Sequence, residues 1–154
     1  VLNYIPNQKA SQLAFDSGLV ADGKDWCDIH PKTFESKLVK NVHVIGDASN
    51  AAPMPKSAFS ASTQGKVVAL QIARMLKQQE PLNPPKLANT CYSLLSPNYG
   101  ISIAAVYNAL DDKIQNVDGA GGVSPETDPD GHIRILEAKY AYAWYESQTA
   151  DIFK

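Results

Sequence analysis

Three short stretches of this sequence hold residues whose types and spacing could do chemistry. The first runs Val42-His43-Val44-Ile45-Gly46-Asp47-Ala48. A β-branched run that stops at glycine predicts a buried strand with a tight exit. Such a strand delivers Asp47 to the carboxyl edge of a sheet, where open α/β folds bind their ligands. A carboxylate placed there accepts hydrogen bonds from hydroxyls such as those of a flavin's ribityl chain, and Gly46 lets the backbone come close. The same pattern is also the shape of a plain turn. The second stretch, Pro55-Lys56-Ser57, follows about ten residues later and opens a helix. The free N–H groups and partial positive charge of a helix start suit the pyrimidine edge of a flavin, where negative charge gathers on reduction. Lys56 would add a full charge. The alternative is an ordinary helix start with Ser57 as its cap.

The third stretch carries a sulfur. Cys91 lies in an alternating segment between Thr90 and Tyr92 and reads either as a buried, inert thiol or as half of a redox disulfide. Cys27 is one source for the second sulfur. The two are 64 residues apart, which is neither a metal-ligand spacing nor a CxxC motif. They could pair, stay as thiols, or pair outside this chain. Trp144 stands in an aromatic group with Tyr140, Tyr142 and Tyr145, which reads as core or interface, or as a border to an aromatic cofactor. His30, His43 and His132 have no metal-ligand spacing, so no metal is expected. No nucleophile elbow, Walker loop or GxGxxG fingerprint is present.

The elements that must position these residues are read from periodicity. Val1–Ile5 predicts a strand, Ala10–Asp16 a short helix ended by Gly18, and Asp25–Ile29 an extended stretch before a turn at Pro31–Thr33. Ser57–Gln78 predicts one long helix with Phe59, Thr63, Val67, Leu70, Arg74 and Lys77 at helical spacing, and Val68, Ile72, Met75 and Leu76 strengthening the apolar side. Gly65 inside it costs about 1 kcal/mol against alanine and marks a close contact. Prolines 81, 84 and 85 place a linker at residues 81–87. Beyond it, Thr90–Leu95, Tyr99–Leu110 and Lys113–Val117 predict an antiparallel meander. Gly119–Gly122 opens a loop that runs to Gly131. The closing segment, His132–Phe153, predicts a helix with Ile133, Leu136, Tyr140 and Trp144 on its apolar face.

Composition limits the function classes. The 154 residues are 44% hydrophobic and 19% charged, which fits a globular chain with a real core. A formal net charge of -2 gives nucleic-acid binding little support. No apolar run approaches the ~20 residues of a membrane helix. The chain opens on Val1 with neither initiator methionine nor signal peptide, which reads as a piece of something longer.

Several stretches taken together resemble the flavoprotein subunit of flavocytochrome c sulfide dehydrogenase. Pro31–Ser36, Val42–Ala48 and Pro53-Met54-Pro55-Lys56-Ser57 are similar to the last part of its FAD domain. Asn89-Thr90-Cys91-Tyr92-Ser93, Tyr99–Ser102, Gly121–Pro125 and Tyr140–Trp144 are similar to its small C-terminal domain. The resemblance implies an α+β chain: residues 1–80 as the tail of an FAD-binding α/β domain, a linker at 81–87, and residues 88–154 as a small antiparallel sheet with a C-terminal helix. It implies FAD held by Gly46, Asp47, Ala48, Pro55, Lys56 and Ser57, with Trp144 bordering the flavin and Cys91 as one member of a redox disulfide. It also implies sulfide as substrate, a c-type cytochrome subunit as partner and a periplasmic setting.

The departures bear on activity. The family's Gly-rich nucleotide loop, the partner cysteine of Cys91, the cysteine that can anchor the flavin and the second nucleotide-type domain are absent, and are expected N-terminal to Val1. The FAD site is therefore expected to be incomplete, and these 154 residues alone are expected not to oxidise sulfide. Two other readings stay open. One is a docking or self-associating module without its own catalysis. The other is a related flavoenzyme such as sulfide:quinone oxidoreductase, which the absence of a basic amphipathic end disfavours.

Overall fold

A computed structural model describes residues 2–154. Three helices and one sheet carry the fold: α1 (Gln12–Asp16), α2 (Ala58–Leu76), β1 (Lys86–Ser96), β2 (Tyr99–Ala109), β3 (Ile114–Val123) and α3 (His132–Phe153). The chain is α+β, with an antiparallel sheet in the order β1-β2-β3 followed by the C-terminal helix.

The N-terminal part is mostly irregular. Of the strand expected at the start, Val1 lies outside the described residues, and Leu2, Tyr4 and Ile5 are exposed and unpaired in any ladder. Helix α1 ends as expected at Gly18, whose φ of +68° takes the left-handed turn that glycine tolerates. The strand expected at Val42–Ile45 does not form; His43 makes only an isolated bridge to Glu35. A strand needs a partner over several residues. Among the described residues its backbone partner is the 34–36 segment, which curls away at Phe34 with φ +58°. The apolar pattern still has a use: Val44 is buried, and its N–H donates to the Phe34 carbonyl at 2.8 Å.

Helix α2 forms nearly where periodicity placed it, with Ser57 as N-cap accepting from the Ser60 N–H at 3.1 Å. Its buried face keeps Val68 from the expected apolar side but is otherwise offset from it. It consists of Ser60, Gln64, Val68 and Gln71, three of them polar. Each polar side chain has a partner. Gln71 Nε2 donates to the carbonyls of Lys32 (3.1 Å) and Leu82 (3.3 Å), and its Oε1 accepts from the Leu82 N–H at 2.9 Å. Gly65 does mark a close contact, since a Cβ there would lie 3.3 Å from Ile45 Cδ1.

The strand β1 starts at Lys86, inside the expected linker, and Pro85 just before it is fully buried. One hydrophobic core joins the two halves. Cys27, Phe34, Val44, Met54 and Val68 pack in the same cluster as Leu87, Tyr107, Ala109 and Ile114 from the base of the sheet.

The glycine run expected as a loop is the end of β3 instead. Ala104 pairs with Gly122 and Ala105 with Gly121, and the register slips between Ala105 and Tyr107. Glycine is required at this close approach, because a Cβ on Gly121 would lie 2.8 Å from Ala105 Cα.

Helix α3 docks on β2 through another close approach. A Cβ on Gly100 would lie 2.6 Å from the Ala138 nitrogen. The inward face is Arg134, Glu137, Ala138 and Ala141, whereas Ile133 and Tyr140 of the expected apolar face are exposed. Arg134 and Glu137 form a buried ion pair at 3.1 Å. The hydroxyls of Ser102 (2.7 Å) and Ser124 (2.6 Å) donate to Glu137 Oε1, and Arg134 also donates to the Pro125 carbonyl. Small residues admit the helix, and this polar network fixes its position.

Burial alone would raise the Glu137 carboxyl. Hydrogen bonds from Ser124, Ser102 and Arg134, with the Arg134 charge, outweigh it and hold the group below its ordinary 4.5. A carboxyl depressed on folding stabilises the fold fully above the unfolded value and loses that contribution as pH falls through the folded one. Wild type should therefore lose thermal stability as pH drops below about 4.5, and Glu137→Gln should show a shallower acid slope in melts across pH 3–7. Gly100→Ala should cost about 1–3 kcal/mol by pushing α3 off β2, read as a lowered melting temperature.

Candidate functional site

Residues Gly46–Ala48 form a single 3-10 turn at the end of the would-be strand. Gly46 has φ +65°, and a Cβ there would press on Ala61 Cβ at 3.2 Å. Its N–H donates to Oε1 of the buried Gln64 at 2.7 Å, so α2 holds the turn in place. Asp47 projects to solvent, and its carboxylate makes no hydrogen bond among the described residues. A free acceptor on a fixed turn is what hydroxyl recognition needs.

Lys56 closes over this turn. Its Nζ donates to the carbonyls of Asp47 (2.6 Å) and Ser49 (2.9 Å) and sits 3.7 Å from the Trp26 ring centroid. Burial pulls its pKa down from the usual lysine value, opposed by the nearby Asp47 charge. The ammonium is thus held at a fixed place. Trp26, Gly46, Ala52, Pro55, Lys56 and Gln64 border a pocket of about 240 Å³. The sequence reading missed Trp26 and Gln64 as site residues. The position of Trp26 beside Cys27 offered no signal of its role.

The start of α2 reaches directly to the sheet. Ser57 spends its hydroxyl on Asn89 Oδ1 (2.5 Å), and Ser60 does the same at 3.1 Å. Asn89, 3% exposed, turns its Nδ2 to Cys91 Sγ at 3.4 Å. Because the Ser60 N–H is capped, the amides of Ala58 and Phe59 are left without an intrahelical partner.

Cys91 is half-buried on the sheet face that also presents Asn89, Ile103, Ala105 and Tyr107. With Pro53 and Pro55 opposite, these residues line a pocket of about 380 Å³. Burial, and then the neighbouring Cys91 sulfur, push the Tyr107 phenol up. Both cysteines are free thiols. Cys27 is wholly enclosed, and burial first, then Asp28, raise its thiol pKa against the opposing charge of Lys56. A buried thiol kept protonated is a poor nucleophile.

Trp144 packs from α3 between Phe59 (6.5 Å, stacked) and Tyr92 (5.9 Å, tilted). Tyr92 and Cys91 are consecutive in β1 and point to opposite faces of the sheet. The structure therefore brings Gly46, Asp47, Ala48, Pro55, Lys56 and Ser57 together, joins Cys91 to them through Asn89, and puts Trp144 against the other face. The Trp144 indole N–H is buried without a partner. Tyr140, Tyr142 and Tyr145 are exposed and form no cluster with it.

A free carboxylate on a glycine turn and a fixed ammonium stand near a Ser57-capped helix start and a strand-borne thiol, an arrangement with donors and acceptors suited to a flavin. Residues 83–153 match the family model described as flavocytochrome c sulphide dehydrogenase, flavin-binding. Its cofactor is FAD. The residues present fit that group: Asp47 has unused acceptor capacity, and Ala58 and Phe59 have N–H donors without intrahelical partners. Among the described residues no group of three or more His, Cys, Asp or Glu is placed to hold a metal.

Asp47→Ala should weaken FAD binding by about tenfold or more, the usual cost of losing a hydrogen bond to a charged group. Titration of flavin fluorescence against the wild-type and variant chains measures it.

Proposed function

We propose that this chain is part of a flavoprotein that oxidises sulfide and passes the electrons to a c-type cytochrome subunit, in the periplasm. Residues 1–80 end its FAD domain, and residues 88–154 form its small C-terminal domain. The observation that carries this reading is the Cys91 sulfur. It is free and half-buried in a pocket facing Pro53 and Pro55, one hydrogen-bonded residue away from the start of α2. The family resemblance implies that Cys91 pairs with a second cysteine outside these 154 residues; Cys27, sealed in the core, is not placed to be that partner. An oxidising compartment allows that bond to persist.

Hydrosulfide attacks one sulfur of the disulfide. That S–S bond breaks, a persulfide S–S bond forms, and the other sulfur leaves as a thiolate with the electron pair. Bound FAD supplies acceptance of the pair and its release one electron at a time. Lys56 and the free amides of α2 offer positive charge and donors where negative charge develops. Asp47 orients the cofactor through its hydroxyls. With the partner sulfur elsewhere, these residues alone do not turn over sulfide.

A second reading has its own support. Tyr140, Tyr142, Tyr145, Ile152 and Phe153 expose apolar surface along α3, which suits a docking or self-associating role. No helix among the described residues is long and apolar enough to cross a membrane.

In the flavoprotein that contains this chain, Cys91→Ser should lower sulfide-dependent reduction of a c-type cytochrome by roughly a thousandfold or more while flavin absorbance is retained. A variant that keeps the wild-type rate would refute the disulfide reading and leave the docking role.

A further inference from the structure

The polar contact nearest to Cys91 has a direction. Asn89 offers two different ends, a carbonyl acceptor and an amide donor. Its Oδ1 lies 2.5 Å from Ser57 Oγ and 3.1 Å from Ser60 Oγ. Ser57 Oγ already accepts the Ser60 N–H at 3.1 Å, so its proton is free to be donated. With both hydroxyls directed at Oδ1, Nδ2 is left facing Cys91 Sγ at 3.4 Å. The opposite contact, from the thiol to Oδ1, is longer at 3.7 Å. Asn89 is 3% exposed, so water does not compete for its donor. A buried N–H aimed at sulfur favours the anion over the thiol.

We propose that Asn89 is a positioning residue for the sulfur chemistry. Its Nδ2–H holds Cys91 Sγ in place and stabilises it as the thiolate, while Ser57 and Ser60 lock the amide in the required orientation. The hydroxyls at the start of α2 and the sulfur then form one connected unit. This role rests on the reading of Cys91 as a redox sulfur, but its signature belongs to the thiol and can be measured without turnover.

The test follows alkylation of Cys91 by iodoacetamide in the reduced full-length chain between pH 6 and 10. Peptide mass spectrometry reads Cys91 separately from Cys27. In Asn89→Leu the midpoint should move up by about one pH unit, so that alkylation at pH 7 falls about tenfold. Asn89→Asp keeps the shape and the acceptor for both serines but replaces the donor by a negative charge, and should move the midpoint up at least as far. Ser60→Ala removes one lock while leaving the Ser57 cap, and should give a smaller rise. Far-UV circular dichroism checks folding; where Asn89→Leu fails it, the near-isosteric Asn89→Asp carries the decision. A midpoint that stays in place or falls in the folded variants would overturn the proposal, because the carbonyl rather than the amide would then face the sulfur. A flavoprotein that ignores sulfide while its Cys91 midpoint still rises in these variants would refute the sulfide reading and support the role of Asn89.

Discussion

The arrangement depends on the buried polar stripe of α2. Ser60, Gln64 and Gln71 occupy positions where a helix of this kind usually places leucine. Each is tied to a different piece of irregular chain: Ser60 to Asn89, Gln64 to the Gly46 turn, Gln71 to Lys32 and Leu82. The net gain of each bond is about 1 kcal/mol, but a buried amide left without its partner costs about 1–3 kcal/mol. The stripe therefore penalises every wrong placement of these loops more than it rewards the right one. A leucine stripe would have buried more apolar surface and left the Gly46 turn free to drift.

Helix α3 uses the same device. Arg134 and Glu137 take up its inward face where apolar side chains would pack against β2. A buried ion pair is weak evidence for stability, since desolvation offsets much of the attraction. Its use here is positional. Glu137 accepts from a serine on β2 and another just beyond β3, so the helix can sit in only one register over the sheet. Gly100 permits contact and Glu137 selects among the contacts. That register sets where Trp144 meets Tyr92 and Phe59.

The parts legible in the sequence were those where local pattern and tertiary partner agree. Ser57 reads as a cap and is one; β1 and β2 alternate and pair; His132–Phe153 is helical. The Val42–Ile45 run was misread because apolar pattern reports burial, whereas a strand also requires a ladder partner. Gly119–Gly122 was misread as loop because glycine usually weakens strands, and only the crossing of Ala104 and Ala105 shows why it is needed in one. Both helical faces were offset for a shared reason: periodicity weighs apolar residues, and the true inward faces are largely polar. In the site, the residue types were readable at Gly46, Asp47, Lys56 and Cys91. The residues that orient them, Trp26, Gln64 and Asn89, were not, since an indole or an amide carries no pattern until its partner is in view.

The electrostatics of the assembled site run one way. The ammonium of Lys56 is fixed by two carbonyls and an aromatic face; the amides of Ala58 and Phe59 lack intrahelical partners; Asn89 gives its N–H to sulfur. Each is a donor or a positive charge, and each is held by neighbours before any ligand arrives. Groups already oriented need no rearrangement when negative charge appears, and that is what makes such a site effective. The Asp47 carboxylate, on the turn that Lys56 closes over, faces solvent and makes no hydrogen bond among the described residues. A site divided in this way offers an acceptor to hydroxyls at one end and donors and positive charge at the other. The same division explains why α2 is tied to both ends through Gln64 and Ser60: if the helix shifted, the acceptor turn and the donor cluster would lose their spacing together.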